Sequence, residues 1–268
     1  MNISNEKLDI IIQGGQSNAE GCGFGEVSVE YTPDADILYM NAPKSVNVLY
    51  AGTPEEKLVI EYFDEPFSYS VADNHMNGEL LRGDFALSFA KKYKESGMLA
   101  SGRKLLIIRA AIGGTGFYKH HWGKNDFVYL KMIEMIKEAL SQNADNRVVA
   151  FLWHQGEHDA FEENAPAVFK ESLSYLLSEV RKICGGIVPF VTADFVNEWK
   201  SQNIEKCEPI VAAIREVVAD AENAAFVETS DLPSNNQKNG GGDGIHFCRE
   251  SLRILGERYF EAYKKIRD

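Results

Sequence analysis

The chain has 268 residues, 44% of them hydrophobic, which is ample for a large buried core. With 28 basic against 40 acidic residues the net charge is −12, which argues against nucleic acid or an anionic membrane surface as partner. No apolar run reaches the roughly 18–20 residues of a membrane helix. The N-terminus, MNISNEKLDIII, lacks the basic region, apolar core and cleavage site of a signal peptide. Cys22, Cys184, Cys207 and Cys248 are scattered without a C-x-x-C pair. They read as reduced thiols of a cytoplasmic protein, not as a disulfide frame or zinc site. No feature of the sequence sets an oligomeric state, and neither repeats nor low-complexity linkers divide the chain, so residues 1–268 read as one domain.

Leu8 to Ile12 is a short, isoleucine-rich run ending at Gly14 and Gly15, the pattern of a buried parallel strand with a sharp turn after it. Ser17 then lies at a strand's carboxyl end and near a helix start. Cys22 to Leu80 is irregular, with Pro33, Pro43, Pro54 and Pro66, and reads as loops with short strands such as Lys57 to Phe63. An insertion of that length is often functional. Asp84 to Ser96 is helical, with Phe85, Phe89 and Tyr93 recurring every fourth residue. Lys104 to Arg109 is a second buried strand, followed by the turn Ala110 to Gly116. Asp126 to Leu140 is an amphipathic helix. Arg147 to Trp153 is a third strand and runs into His154-Gln155-Gly156-Glu157. Ala165 to Ile183 is a helix stopped at Gly185-Gly186, Ile187 to Ala193 a fourth strand, Ile204 to Ala221 a helix and Ala224 to Glu228 a fifth strand. A polar loop, Ser234 to Gly242, leads to Asp243-Gly244-Ile245-His246, and Cys248 to Arg267 is the last helix. Alternation of strand and helix implies an α/β fold with a parallel sheet of about five strands covered on both faces. The turns at Ser17, Gly114 and Gln155 each follow a strand directly, so a parallel sheet gathers them on one edge, where ligands bind in such folds.

Those turns carry the parts of a serine hydrolase. Ser17 supplies a nucleophile, although serine is equally a favoured helix N-cap. Asp243 and His246, three residues apart, can point at one place as an imidazole base and its orienting carboxylate. His246 alone reads as well as a helix-start histidine bonded to local backbone. The Ser17 N–H, the Gly114 N–H and the Gln155 amide could form an oxyanion hole. Otherwise Gly113-Gly114 is a plain tight turn and Gln155 a tie between loops. Glu157 reads as a buried carboxylate stiffening the Ser17 turn through its backbone donors, or as a second orienter of His246. Phe24, Phe117, Tyr118, His120, His121 and Trp122 are candidates for a substrate pocket. His154 and His158 do not form H-E-x-x-H, so no metal is expected.

Gly15-Gln16-Ser17-Asn18, Gly113-Gly114-Thr115, Trp153-His154-Gln155-Gly156-Glu157 with Asp159, and Asp243-Gly244-Ile245-His246-Phe247, in this order, resemble the SGNH hydrolase superfamily. Within it they resemble the sialate O-acetylesterase and carbohydrate esterase family 6 (acetylxylan esterase-like) branch, from Ile11 to Phe247. The resemblance implies a flavodoxin-like three-layer α/β/α fold and hydrolysis of acetyl esters on sugars without metal or cofactor. It implies Ser17 as nucleophile, His246 as base, Asp243 as its partner, and Ser17, Gly114 and Gln155 as the oxyanion hole, with Gln16 and Glu157 in support. Acetylated xylan, other acetylated sugars and 9-O-acetylated sialic acid all fit as substrates. Asp84 stands where the family commonly has proline. Two rivals compete. In an α/β-hydrolase, Gly15-Gln16-Ser17-Asn18-Ala19 would be a near match to the nucleophile elbow, but here the serine follows the first strand and only two residues separate acid from histidine. A non-catalytic nucleotide- or sugar-binding module would use the glycine turn for phosphate, yet G-K-[ST] is absent.

Overall fold

The computed structural model describes residues 1–26, 32–53, 55–73, 83–162 and 165–267. Residues 27–31, Pro54 and residues 74–80 of the stretch read as loop, and Asp268, lie outside the described residues. The strands are β1 (Lys7–Gly15), β2 (Ile37–Asn41), β3 (Lys44–Leu49), β4 (Lys57–Tyr62), β5 (Ser68–Val71), β6 (Arg103–Arg109), β7 (Arg147–His154), β8 (Phe190–Ala193) and β9 (Ala224–Val227). The helices are α1 (Ser17–Glu20), α2 (Phe85–Glu95), α3 (Phe127–Ser141), α4 (Ala165–Cys184), α5 (Asn197–Gln202), α6 (Ile204–Asp220), α7 (Asn235–Asn239) and α8 (Arg249–Ile266).

Among the described residues, seven strands form one sheet in the order β5-β2-β6-β1-β7-β8-β9. All neighbours are parallel except β5, which runs antiparallel to β2. The five strands expected from the sequence are β6-β1-β7-β8-β9, the flavodoxin-like 2-1-3-4-5 order. The expectation of about five strands falls short by β2 and β5, both inside the proline-rich insertion. There the isolated run Ile37–Asn41 is buried and pairs with β6 (Ile37 with Leu105), so tertiary pairing makes a strand of a segment with almost no local signal.

The side-chain alternation of a strand builds the layers. Ile10 and Ile12 of β1, Leu106 and Ile108 of β6, and Phe151 and Trp153 of β7 share one core with residues of α3, α4 and α6. Ile11, Leu105, Ile107, Ala150 and Leu152 share the other with α2 and α8. In that second layer Gly256 of α8 lets the two helices approach closely: a Cβ there would stand 2.2 Å from the Phe85 carbonyl oxygen. Asp84 caps α2, its Oδ1 accepting from the Leu87 N–H at 2.9 Å and its Oδ2 from the Tyr39 hydroxyl at 2.8 Å. A proline at 84 would lack this cap. No helix among the described residues is long and apolar enough to cross a membrane.

Candidate active site

In the 2-1-3-4-5 order the chain changes direction between β1 and β7, and the crevice at that point is where open α/β sheets hold ligands. Ser17 leaves β1 there, Gln155 leaves β7 and the Gly113-Gly114 turn leaves the adjacent β6. Gly15 makes the first exit possible. It lies at φ +126°, and a Cβ on it would be 2.0 Å from the His154 carbonyl oxygen, so no other residue fits. The chain then turns at once into α1, and Ser17 is left 8% exposed at the floor of the crevice.

His246 comes from the far end of the chain. Its Nε2 lies 2.9 Å from Ser17 Oγ, and its Nδ1 lies 2.9 and 3.0 Å from the two Asp243 oxygens. With Nδ1–H donated to Asp243, Nε2 accepts the serine hydroxyl. The loop bearing the pair is tied down from several sides. Asn235 Nδ2 donates to Asp243 Oδ2 at 2.8 Å and to the Cys22 carbonyl at 2.9 Å, and the Asn235 N–H donates to the His246 carbonyl at 2.8 Å. Glu198 accepts from Ser234 Oγ and, at 2.7 Å, from Asn236 Nδ2.

Asn18 joins the nucleophile segment to the histidine segment. Its Oδ1 accepts from the Phe247 N–H at 3.0 Å, and its Nδ2 donates to Glu157 Oε1 at 2.8 Å and to the Ile245 carbonyl at 3.2 Å. Glu157 therefore holds the Asn18 side chain, not the backbone donors of the Ser17 turn as the sequence suggested. Burial alone would push the Glu157 carboxyl up, but His154 at 3.5 Å and the Asn18 amide hold it below its ordinary 4.5. A depressed carboxyl contributes stability that is full above that ordinary value and is lost as pH falls through the lower folded-state value. Thermal melts of the wild type should therefore fall more steeply below about pH 4.5 than those of Glu157→Gln, which keeps an acceptor for Asn18 but does not titrate. Parallel melting curves of the two proteins over that range would contradict this assignment.

The donors expected at an oxyanion hole divide. The Ser17 and Gly114 N–H groups have no acceptor among the described residues, while the Gly113 N–H donates to Glu20 Oε2 at 2.8 Å. Gly114 holds φ +74° and is exposed at the turn. The Gln155 amide is turned inward. Its Nε2 lies 2.6 Å from Asp159 Oδ2 and 3.2 Å from both Gln16 Oε1 and the Thr115 carbonyl. Two N–H donors thus face three acceptors, and Gln155 reaches a new oxygen only by giving one up. Gln16 Oε1 also accepts from the His158 N–H at 3.2 Å. Asp159, pushed up by burial, accepts in addition from the Phe117 and Tyr118 N–H groups at 3.1 and 2.8 Å, fastening the segment after the glycine turn.

Beside the turn lies a groove of about 660 Å³ lined by Leu58, Ile60, Gly113, Gly114, His121 and His158, among others. The β3–β4 hairpin of the long insertion forms one wall. Burial, and His158 nearby, hold the His121 imidazole below its ordinary value, and its Nδ1 accepts from the Gly116 N–H at 3.1 Å. Of the aromatics expected at the pocket, Phe117 and Trp122 are core residues. Trp122 is fully buried, packs edge-on against Trp153 at 5.1 Å and donates to Thr115 Oγ1 at 2.8 Å, and Phe117 lies 5.2 Å from the Phe169 ring. Tyr118 and His120 are exposed. Among the described residues, no three His, Cys, Asp or Glu side chains group as a metal ion would require.

A flavodoxin-like three-layer α/β/α domain with a crevice at its switch point is an open α/β fold that many unrelated enzymes share. Comparison with known proteins narrows the class. Residues 7–265 match the family described as carbohydrate esterase, sialic acid-specific acetylesterase. Among solved structures, NanS superposes with a TM-score of 0.71 at 17% identity over 97% of each chain. A protein from Arabidopsis thaliana gives 0.67 at 18% identity over 98% of this chain and all of the other. XAC1771, a carbohydrate acetylesterase from Xanthomonas citri, gives 0.67 at 17% identity, covering 97% of this chain and 56% of that one. No curated protein matches the sequence. The chain belongs to the sialic acid-specific acetylesterase family of carbohydrate esterases and is a carboxylic ester hydrolase. The α/β-hydrolase reading is thereby set aside.

Proposed function

We propose that the protein is a serine O-acetylesterase that removes acetyl groups from a small acetylated carbohydrate of sialic acid or xylo-oligosaccharide type, with residues 1–268 acting as one esterase domain. The reading is carried by the 2.9 Å approach of Ser17 Oγ to His246 Nε2, with Asp243 behind the ring. Ser17 attacks the acetyl carbonyl while His246 takes its proton. The tetrahedral oxyanion is held by the Ser17 and Gly114 N–H groups, with Gln155 as third donor once it releases Gln16 or Thr115. His246 returns the proton to the departing sugar alcohol, and water then cleaves the acetyl-serine with His246 again as base. Asp243 keeps the ring in the tautomer that accepts at Nε2 and stabilises the imidazolium.

The groove suits a sugar. Leu58 and Ile60 offer an apolar wall for C–H faces, and His121 and His158 offer polar atoms for hydroxyls. Cys184, Cys207 and Cys248 are free thiols, which accords with a reducing, cytoplasmic setting. Acetate release from a panel of O-acetylated sialic acids, acetylated xylo-oligosaccharides and acetylated monosaccharides should show turnover on at least one sugar well above that on simple alkyl acetates. Equal turnover on alkyl acetates and on every sugar would remove the carbohydrate from the reading and leave a general esterase.

A further inference from the structure

We propose that Glu20 is a positioning residue of this esterase, seating the Gly113-Gly114 turn against α1 so that the Gly114 N–H stays beside Ser17. The proposal rests on the serine mechanism just given. Ser17 and Glu20 are three residues apart on α1 and so share a face. The Gly113 N–H donates to Glu20 Oε2 at 2.8 Å. A Cβ built on Gly113 would lie 3.3 Å from that oxygen and 3.5 Å from Ser17 Cβ, so the turn rests on both side chains at once. The Glu20 carbonyl accepts from Arg109 Nη2 at 3.0 Å, and Arg109 ends the strand that feeds the turn. α1 is thus tied to the β6 exit at two points, one on each side of Ala110-Ala111-Ile112.

The rest of the turn is held independently. The Ile112 N–H donates to the Gly15 carbonyl at 3.1 Å, and Thr115 Oγ1 donates to the Ile112 carbonyl at 2.6 Å. With Gly113 bound to Glu20 and Thr115 fixed from both ends, the Gly114 N–H is left pointing at no protein acceptor among the described residues. Without the carboxylate, Gly113 loses its only hydrogen-bond acceptor among the described residues, and the peptide carrying the Gly114 N–H can rotate. Misplacing one oxyanion donor lowers turnover with little effect on ground-state binding. The role assigned is that of an acceptor at a fixed distance, not that of a charge.

Two substitutions separate these roles. Glu20→Asp keeps the charge but is one methylene too short for Gly113; Glu20→Gln loses the charge but keeps an oxygen in reach. For acetate release by the full chain, Glu20→Asp should lower kcat about 10- to 100-fold with KM within about twofold, part of the loss seen when an oxyanion donor is removed. Glu20→Gln should stay within about threefold of wild type. Thermal melts and stoichiometric labelling by a fluorophosphonate should match wild type in both, so that the loss is read per folded site. Near-normal kcat in Glu20→Asp, equal damage in the two variants, a change confined to KM, or a loss that tracks reduced labelling or melting temperature would each overturn the proposal. Ser17→Ala is assayed alongside. If it is inactive while Glu20→Asp is normal, only the role of Glu20 fails; if Ser17→Ala turns over normally, the serine mechanism and this proposal fall together.

Discussion

Replacing Ser17 by alanine is expected to lower acetyl-ester turnover by at least about 10⁴-fold. Loss of the hydroxyl removes the only route to an acyl-enzyme, so any residue of activity must come from water attacking a carbonyl polarised by the remaining N–H donors. The fold should hardly notice. The Ser17 hydroxyl has His246 as its hydrogen-bond partner, and the His246 side chain is 24% exposed, so water can satisfy Nε2 when the hydroxyl is gone. Melting temperature should move by no more than the change typical of a surface substitution, about 0.5 kcal/mol in stability. Acetate release at saturating substrate, with circular-dichroism melts, checks both halves. Near-normal turnover in a folded Ser17→Ala protein would end the proposal.

Asp243→Asn should cost about 10³- to 10⁴-fold in kcat, although it changes one atom for another of nearly the same size. The cost follows from the second partner of the carboxylate. Asn235 Nδ2 donates to Asp243 Oδ2, so an amide at 243 keeps that bond only by turning its oxygen to Asn235. The amide nitrogen then faces His246 Nδ1 and donates to it, which moves the ring proton to Nε2. An Nε2–H cannot accept the Ser17 hydroxyl proton. The same reasoning separates Asp243 from Glu157. If Asp243 orients the base, Glu157→Gln keeps most of its turnover and Asp243→Asn does not. Steady-state kinetics of the two variants decide the matter, and a reversal of the two losses would make Glu157 the orienter.

The central part of the fold is legible in the residues because the signals there are local and periodic. Apolar runs at Leu8–Ile12, Lys104–Arg109 and Arg147–Trp153 mark β1, β6 and β7, whose strands are observed at Lys7–Gly15, Arg103–Arg109 and Arg147–His154. A shared sheet edge then follows from parallelism alone. β2 and β5 escape because runs of five and four residues carry no period long enough to recognise. The pocket is less legible than the Ser17–His246–Asp243 cluster. Phe117 and Trp122 follow a glycine turn just as substrate-binding aromatics would, and only the ring contacts with Phe169 and Trp153 assign them to the core. Asn18, Asn235 and Glu20 are harder still. Each is a polar side chain whose partner lies far along the chain or across a turn, with no spacing rule to announce it. For Asn235 the signal is the Ser234-to-Gln237 capping box, which marks a short helix just before Asp243 but not the amide's reach to the carboxylate.

The crevice joins residue 17 to residue 246, and the ties that hold it run from Asn18 to Phe247 and from Asn235 to Cys22. A ribosome must therefore deliver the chain from residue 17 through residue 246 before hydroxyl and imidazole can meet. Under the serine mechanism proposed above, termination before His246 leaves a fragment without its base, however much of the sheet has assembled. On the mechanism proposed above, activity therefore waits until every strand from β1 to β9 has been made, because contacts so distant in sequence are among the last a growing chain can close.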